Sequence, residues 1–472
     1  MRINTNIAAI IANKNLIAAQ DKASKSLERL SSGYKINHAS DDAAGMAIAA
    51  KLRTQIRGLE QSSKNAADGI SVVQTAEGAL NEIEAMLQRV RELAVQGANG
   101  SMVDEDRESI QSEMKQLLSE VDRIANDTEF NKKTLLNGTL DRKSFTNQTG
   151  VSISYASSEV PAGDYILNIV KGGKQAEYKG AAGTAFSGTG GCVRKEEAGT
   201  VQINGYRIEI KEGETREEVC SKLIDAADRL NVTVEGCNGN ATDELTFRTY
   251  EYGSEERLQI KCDNSLLATA LGIGTDISVT GSNMEATIQT GTAGKGFAGT
   301  ASIYCYGNTA TVTDLKGFKL TYELDGSYPG GAKQVTAQVT DMGTMTVHIG
   351  ANEGQVLDIR LEEVSCKKLG LEYMNLLTEA GSSKAISMAD AAIAKISSIR
   401  SEIGACQNRL DAAASSLDVT GENMNSAISR IEDVNMAEEM ATYTQLNVLS
   451  QAGVSMVAQA NELPQMVLQL LQ

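Results

Sequence analysis

The chain of 472 residues has no tryptophan, six phenylalanines and thirteen tyrosines. Its cores must therefore be built from aliphatic side chains. Three prolines fall far below the usual level of about 5%. Proline removes a backbone donor and clashes inside a helix, so this scarcity suits long uninterrupted helices. His38 and His348 are the only histidines, and there is no HExxH. That excludes a zinc protease, and no positioned base is at hand for a nucleophilic triad. Both histidines read as structural or surface residues. The cysteines are Cys192, Cys220, Cys237, Cys262, Cys305, Cys366 and Cys406, an odd number with no CxxC. Neither a zinc ribbon nor a disulfide framework is signalled, and most read as small core residues that stay reduced. No P-loop is present, and nothing calls for a cofactor. No apolar run reaches the roughly 18 residues of a membrane-spanning helix. The opening Met1–Asn6 lacks the basic run and apolar stretch of a signal peptide, which on this rule alone implies a cytoplasmic chain. A net charge of −17 without a basic stripe argues against a nucleic-acid partner.

What is present is unevenly spread. Residues 1–45 carry six basic and four acidic side chains, whereas residues 176–340 carry fifteen and twenty-two. From Met440 to Gln472 the only charge is Glu462, and the chain ends on LPQMVLQLLQ. A weakly charged apolar end suits self-association, and an acidic body suits solubility. The 43 glycines crowd the middle, so helical and glycine-rich structure must be segregated.

Apolar residues at Ile3, Ile7, Ile10, Ile17, Ala23, Leu27 and Leu30 recur in helical steps. Gly33 fits a helix stop, and Ser40-Asp41-Asp42 fits a new N-cap. A long helix follows over roughly 42–98. Its row Leu52, Leu59, Ala66, Val73, Leu80, Leu87 and Ala94 repeats every seven residues, the spacing of a coiled coil. Such a helix spans roughly 80 Å. A third helix is expected over about 105–124. Near the other end, Ile396, Ile403, Leu410, Leu417, Met424 and Ile431 form a second heptad row, with Ile399, Cys406, Ala413, Thr420, Ala427 and Val434 beside it. Cys406 reads as a packing residue in that seam. The economical solution packs the two ends antiparallel. The fold class is thus α+β: a helical coiled-coil rod from both chain ends with an inserted β-rich outer domain. The strands are announced by VQINGYRIEI and TVTDLKGFKLTYEL. The segments are 1–43 and 44–175, the insertion 176–342, then 343–434 and 435–472. Helices with apolar, weakly charged faces are marginal until something covers them, and identical copies would meet head to tail in an open assembly.

Several stretches carry a resemblance: MRINTNIAAI, LERLSSGYKIN, SDDAAGMAIAAKLRTQIRGL, NAADGISVVQTAEGALNEIEAMLQRVRELAVQGANG and TEFNKKTLLNG within residues 1–137, then RSEIGACQNRL, SRIEDVNMAEEM and LSQAGVSMVAQANELPQMVLQLLQ within 385–472. HIGANEGQ at His348–Gln355 joins them. Together they resemble bacterial flagellin, the subunit of the flagellar filament, over about half the chain. Residues 201–274 resemble the small repeat called the flagellin hook IN motif.

The resemblance implies a structural polymer subunit, not an enzyme, that serves swimming motility. It implies export through the flagellar type III apparatus without a cleaved signal peptide, and an extracellular filament as destination. It implies that the terminal segments are disordered in the free subunit and fold on assembly. The residues implied for that packing are Ile3, Ile7, Ile10, Leu446, Leu449, Met456, Leu463, Val467 and Leu470, with Leu27 on the same stripe. Implied partners are other copies of the chain, an export chaperone, the filament cap, hook–filament junction proteins and, in vertebrate hosts, Toll-like receptor 5. Arg89, Leu93 and Glu113 match the receptor-contact positions, with Gln88 and Gln96 beside them; Leu93 lies outside the heptad row and reads as an outward residue. A junction protein shares the terminal helices, but RVRELAVQ and the run to LPQMVLQLLQ favour the filament subunit. The middle domain leaves room for an added adhesive role.

Overall fold

A computed structural model describes residues 6–157, 159–188, 191–237, 244–291, 296–328, 331–340 and 342–470, with side chains described as far as residue 462. Eight helices appear among them: α1 (Ile7–Ser32), α2 (Ala43–Gly97), α3 (Asp104–Asp127), α4 (Arg216–Asp228), α5 (Ser265–Leu271), α6 (Cys366–Leu369), α7 (Glu379–Glu432) and α8 (Met436–Leu470). The chain forms two compact units. One comprises Met1–Ile70, Val347–Leu357 and Asn408–Gln472; the other comprises Ser71–Thr346 and Asp358–Gln407.

In the first unit, local chemistry sets the helix ends. The Asn6 side chain caps α1 by accepting from Ala9 N–H at 3.2 Å. Gly33 ends the helix at φ +78°, a left-handed conformation that favours glycine, and its N–H closes on Arg29 O. Asp42 Oδ1 accepts from Gly45 N–H at 2.9 Å at the start of α2. Helices α1 and α8 run antiparallel: Asn6 Nδ2 donates to Ala460 O at 2.7 Å, and Ser26 Oγ donates to Glu439 O at 3.4 Å. Where the two helices leave each other, Lys35 N–H reaches Glu432 O at 2.5 Å and Val434 N–H reaches Gly33 O at 3.0 Å. The early part of α2 pairs antiparallel with the late part of α7. Arg53 binds Glu432, and Ser63 Oγ donates to Asp418 at 2.9 Å. Ile56, Leu59, Ala66 and Leu410 are buried in this seam. Ser62 Oγ also donates to Gly350 O at 2.8 Å, tying in the segment that includes HIGANEGQ.

In the second unit, the rest of α2 again pairs antiparallel with α7. Arg400 Nη1 lies 2.5 Å from Glu84, and Arg91 Nε lies 2.5 Å from Asp390. Val73, Leu80, Leu87 and Ala94 on α2 are fully buried, and Ile396, Ile399 and Ile403 on α7 are buried too, as the heptads require. The β-rich middle of this unit holds two cores. Two four-stranded antiparallel sheets share the first. One is ordered Glu285–Ile288, Gly163–Lys171, Lys333–Val339, Ser144–Thr146; the other is ordered Ser302–Tyr306, Thr309–Thr313, Lys319–Leu324, Val151–Ala156. Three aromatic rings cluster here, Tyr165, Phe297 and Phe318, at centroid separations of 5.3–5.9 Å.

The second core lies among α4, α5, a four-stranded sheet and a three-stranded one. VQINGYRIEI forms a hairpin whose turn, Asn204-Gly205, has positive φ at both residues, as a two-residue hairpin of this twist requires. Thr215 and Glu218 form a reciprocal capping box on α4. Here the structure corrects the expectation of reduced cysteines at one pair: Cys220 on α4 is joined to Cys237, with the Cα atoms 5.5 Å apart. A separation of 17 residues carries no sequence signal. Folding α4 onto the neighbouring Val232–Glu235 strand creates the proximity. Cys192, Cys262, Cys305 and Cys366 remain thiols, and Cys406 sits half-buried on the α7 seam as its heptad position suggests.

Candidate interaction surfaces

The first candidate surface is the outer side of the α1–α8 pair. Two helices can bury only one stripe each against one another, and the remaining apolar positions stay in solvent. Ser26 is the one buried residue of α1. Ile7 is 67% exposed, and Ile10, Ile11, Ile17 and Leu27 are exposed as well. On α8 the same is true of Val448, Leu449, Val454 and Met456, while Leu446 is half-buried. Ile3 lies outside the described residues. Leu463, Val467 and Leu470 fall on the helical backbone of α8, but their side chains lie outside the description. Exposed side chains of this size on adjoining helices form an apolar surface of the kind that marks an association site.

The second candidate surface spans α2 and α3. Arg89 donates to Glu113 Oε1 from Nε at 3.0 Å and from Nη2 at 2.8 Å, and to Glu92 Oε2 from Nη1 at 3.1 Å. The bond to Glu113, followed by that to Glu92, raises the guanidinium pKa further above its ordinary value. All three residues are exposed, as are Gln88 and Gln96. Glu92 was not singled out in the sequence, although its spacing of three residues from Arg89 on one helix is a legible signal.

Leu93 departs from expectation. It is 1% exposed, inside the core of its own unit. The sequence places it outside the principal heptad row, but α3 lies along α2 and covers a further row. Val72 in that row is buried, and Ala79 and Met86 are half-buried. Ile110, Met114, Val121 and Ala125 of α3 are buried in turn. At Gly97, Arg107 of α3 reaches the carbonyl at 3.2 Å through Nε.

The charged patch lies on two consecutive helices of the N-terminal side, whereas the apolar one follows a two-ended plan, with one helix from each end of the chain. Comparison with known proteins agrees with it. The N-terminal helical region of bacterial flagellin matches residues 3–141, and the C-terminal helical region matches residues 386–471. A flagellin of Salmonella choleraesuis is 34% identical over 99% of this chain and 99% of its own. A flagellin of Clostridium tyrobutyricum is 33% identical over 98% and 99%. This chain belongs to the bacterial flagellin family. Flagellin B of Vibrio cholerae, 31% identical over the full chain, extends the likeness. Among solved structures, FliC from Burkholderia pseudomallei covers 72% of this chain and 99% of its own at 19% identity, with a TM-score of 0.24.

As a flagellin, the chain is a structural subunit of the flagellar filament and not an enzyme. The helical termini and β-rich centre are the α+β arrangement expected for it. Among the described residues, no helix is long and apolar enough to cross a membrane, and no cluster of three metal-binding side chains occurs.

Proposed function

We propose that this flagellin polymerises with its own copies through the exposed apolar faces of α1 and α8, placing the chain in an extracellular filament reached by flagellar type III export. The observation that carries this reading is the row of large apolar side chains left in solvent on two helices that already pack together. Burying one Ile or Leu side chain releases roughly 1.5–3 kcal/mol, so several such residues per copy drive association strongly. Assignment of Ile3, Ile7, Ile10, Leu27, Leu446, Leu449, Met456, Leu463, Val467 and Leu470 to assembly belongs to this proposal. So does the division into a terminal helical domain (1–43 and 435–472), an adjoining helical domain (44–175 and 343–434) and an outer domain (176–342) with its hook IN-like part at 201–274. An export chaperone for the C-terminal helix, the filament cap and the hook–filament junction are the flagellar partners.

The proposal extends to Toll-like receptor 5 as a partner of the free subunit, with Arg89 and Glu113 as the polar contact and Gln88 and Gln96 beside it. Their exposure and the preformed Arg89–Glu113 geometry support this. Leu93 then supports the patch from beneath.

The test is seeded polymerisation followed by electron microscopy. Full-length protein is expected to form filaments, and a chain lacking 1–32 and 436–472 to stay monomeric. Equal polymerisation of both would assign the terminal helices to export or to another partner.

A further inference from the structure

A cleft of about 520 Å³ lies in the second unit between one face of α7 and the outward side of the Lys319–Leu324 strand. Lys395, Ser398 and Glu402 line it from the helix side, and Tyr155, Lys319 and Glu362 are among the polar residues opposite. It belongs to neither interaction surface described above.

The cleft holds charge of both signs in an incompletely neutralised state. Glu362 is 8% exposed at its side chain. Its Oε1 lies 3.1 Å from Arg360 Nη2 as an ion pair but accepts no hydrogen bond. Arg360 is itself committed to Asp141, at 2.8 Å through Nε. Lys395 Nζ donates to Lys368 O at 2.7 Å, and both Lys395 and Lys319 sit over the Tyr155 ring, at 5.8 and 5.4 Å from its centroid. The Lys395 ammonium thus faces like charge on Lys319 and Lys368. Burial, followed by the attraction of Glu362, sets its balance, and the net direction is downward. A buried acceptor without a hydrogen bond and an ammonium crowded by others are each costly, and a ligand able to satisfy both would relieve both.

We infer that this cleft binds a small zwitterion of the free amino-acid class, with its carboxylate toward Lys319 and Lys395 and its ammonium toward Glu362 and Glu402. The lining selects against simpler ligands. A plain anion that meets the lysines also meets two carboxylates, and a plain cation that meets the carboxylates also meets two ammoniums. A metal ion lacks three suitable ligands among the described residues. The Tyr155 ring is engaged by cations, so it serves as an electrostatic wall more than as a stacking platform for a sugar. The cleft lies within the size range of small-molecule sites.

The test is calorimetric titration of the full chain at about pH 8, where Glu362 is ionised, with glycine and with L-serine, against acetate and methylammonium as single-charge probes. Saturable binding is expected for at least one zwitterion and weaker binding for both single-charge probes. Lys395→Met and Glu402→Gln should each weaken the zwitterion about tenfold or more, the scale of one lost charge-assisted hydrogen bond. Lys395→Arg keeps the charge and should retain most of the binding. Circular dichroism on each variant separates loss of the site from loss of the fold. Absence of saturable binding by both zwitterions to the native chain overturns the inference. So does acetate binding as tightly as glycine, which would make the cleft an anion site. Undiminished binding in both charge-removing variants would place any ligand elsewhere.

Discussion

Arg89 on α2 and Glu113 on α3 meet through two hydrogen bonds to a single carboxylate oxygen, at 3.0 and 2.8 Å. The pair is exposed, so water competes for both partners and its contribution to stability is small. Four residues along α2, Leu93 is buried to 1% exposure. Substitutions at these neighbouring positions should therefore separate by mechanism. Arg89→Ala is expected to leave thermal unfolding unchanged within error while weakening binding of the monomer to Toll-like receptor 5 about tenfold or more, as loss of an interface arginine commonly does. Leu93→Ala should cost about 2–5 kcal/mol of stability through the cavity it leaves. Receptor binding equal to wild type in Arg89→Ala would remove this patch as the anchor.

Assembly and folding should also come apart at Ile10. Its side chain is exposed in the subunit, so Ile10→Asp should leave the monomer's circular dichroism intact. The critical concentration for polymerisation should rise about tenfold or more, corresponding to about 1.4 kcal/mol lost from each subunit's association. An unchanged critical concentration would take this position out of the interface.

The Cys220–Cys237 bridge constrains the unfolded chain, with a stabilising effect of roughly 2–4 kcal/mol. Reductant should lower the denaturation midpoint of the wild type and have little effect on a double Cys220→Ser, Cys237→Ser variant, which should already sit near the reduced wild type. If reductant shifts both proteins equally, the response does not come from this bridge.

Glu362 makes stability depend on pH in the sense opposite to an ordinary surface carboxylate. Burial pushes its pKa from 4.5 up to about 7, against the downward pull of Arg360. Asp141 and Glu402 push the same way as burial, and Lys395 opposes them. Between these values the folded chain holds a proton that the unfolded chain has released. The contribution is therefore fully present below 4.5 and is lost as pH rises through 7, by about 3 kcal/mol in all. Glu362→Gln keeps the shape without the charge, and Arg360 retains Asp141. The variant should be more stable than wild type near pH 8 and about equal to it near pH 5, read by denaturant unfolding. A gain of the same size at both pH values would show that titration is not the cause.

Much of this architecture is legible before folding because it is set by neighbours in sequence. The stop at Gly33, the cap at Asp42 and the turn at Asn204-Gly205 each depend on a few consecutive residues. The heptad row from Leu59 to Ala94 states which side of α2 is to be covered, since one period fixes one face. The apolar, almost uncharged stretch after Met440 likewise keeps a helical pattern, and α8 carries Val448, Leu449, Val454 and Met456 exposed.

What remained for tertiary structure was the meeting of residues that no local period connects. The sequence could not distinguish a two-helix seam from one widened by α3, and that difference put Leu93 in the core while leaving Arg89 outside. Nor could it join Cys220 to Cys237, or gather Asp141, Arg360, Glu362 and Lys395 from two distant loop segments and α7. The physical reason is the same in each case. Caps, turns and heptads are short-range properties of the backbone and its adjacent side chains, whereas burial, disulfide proximity and the charge of a cleft depend on which distant surfaces the fold brings within a few ångströms.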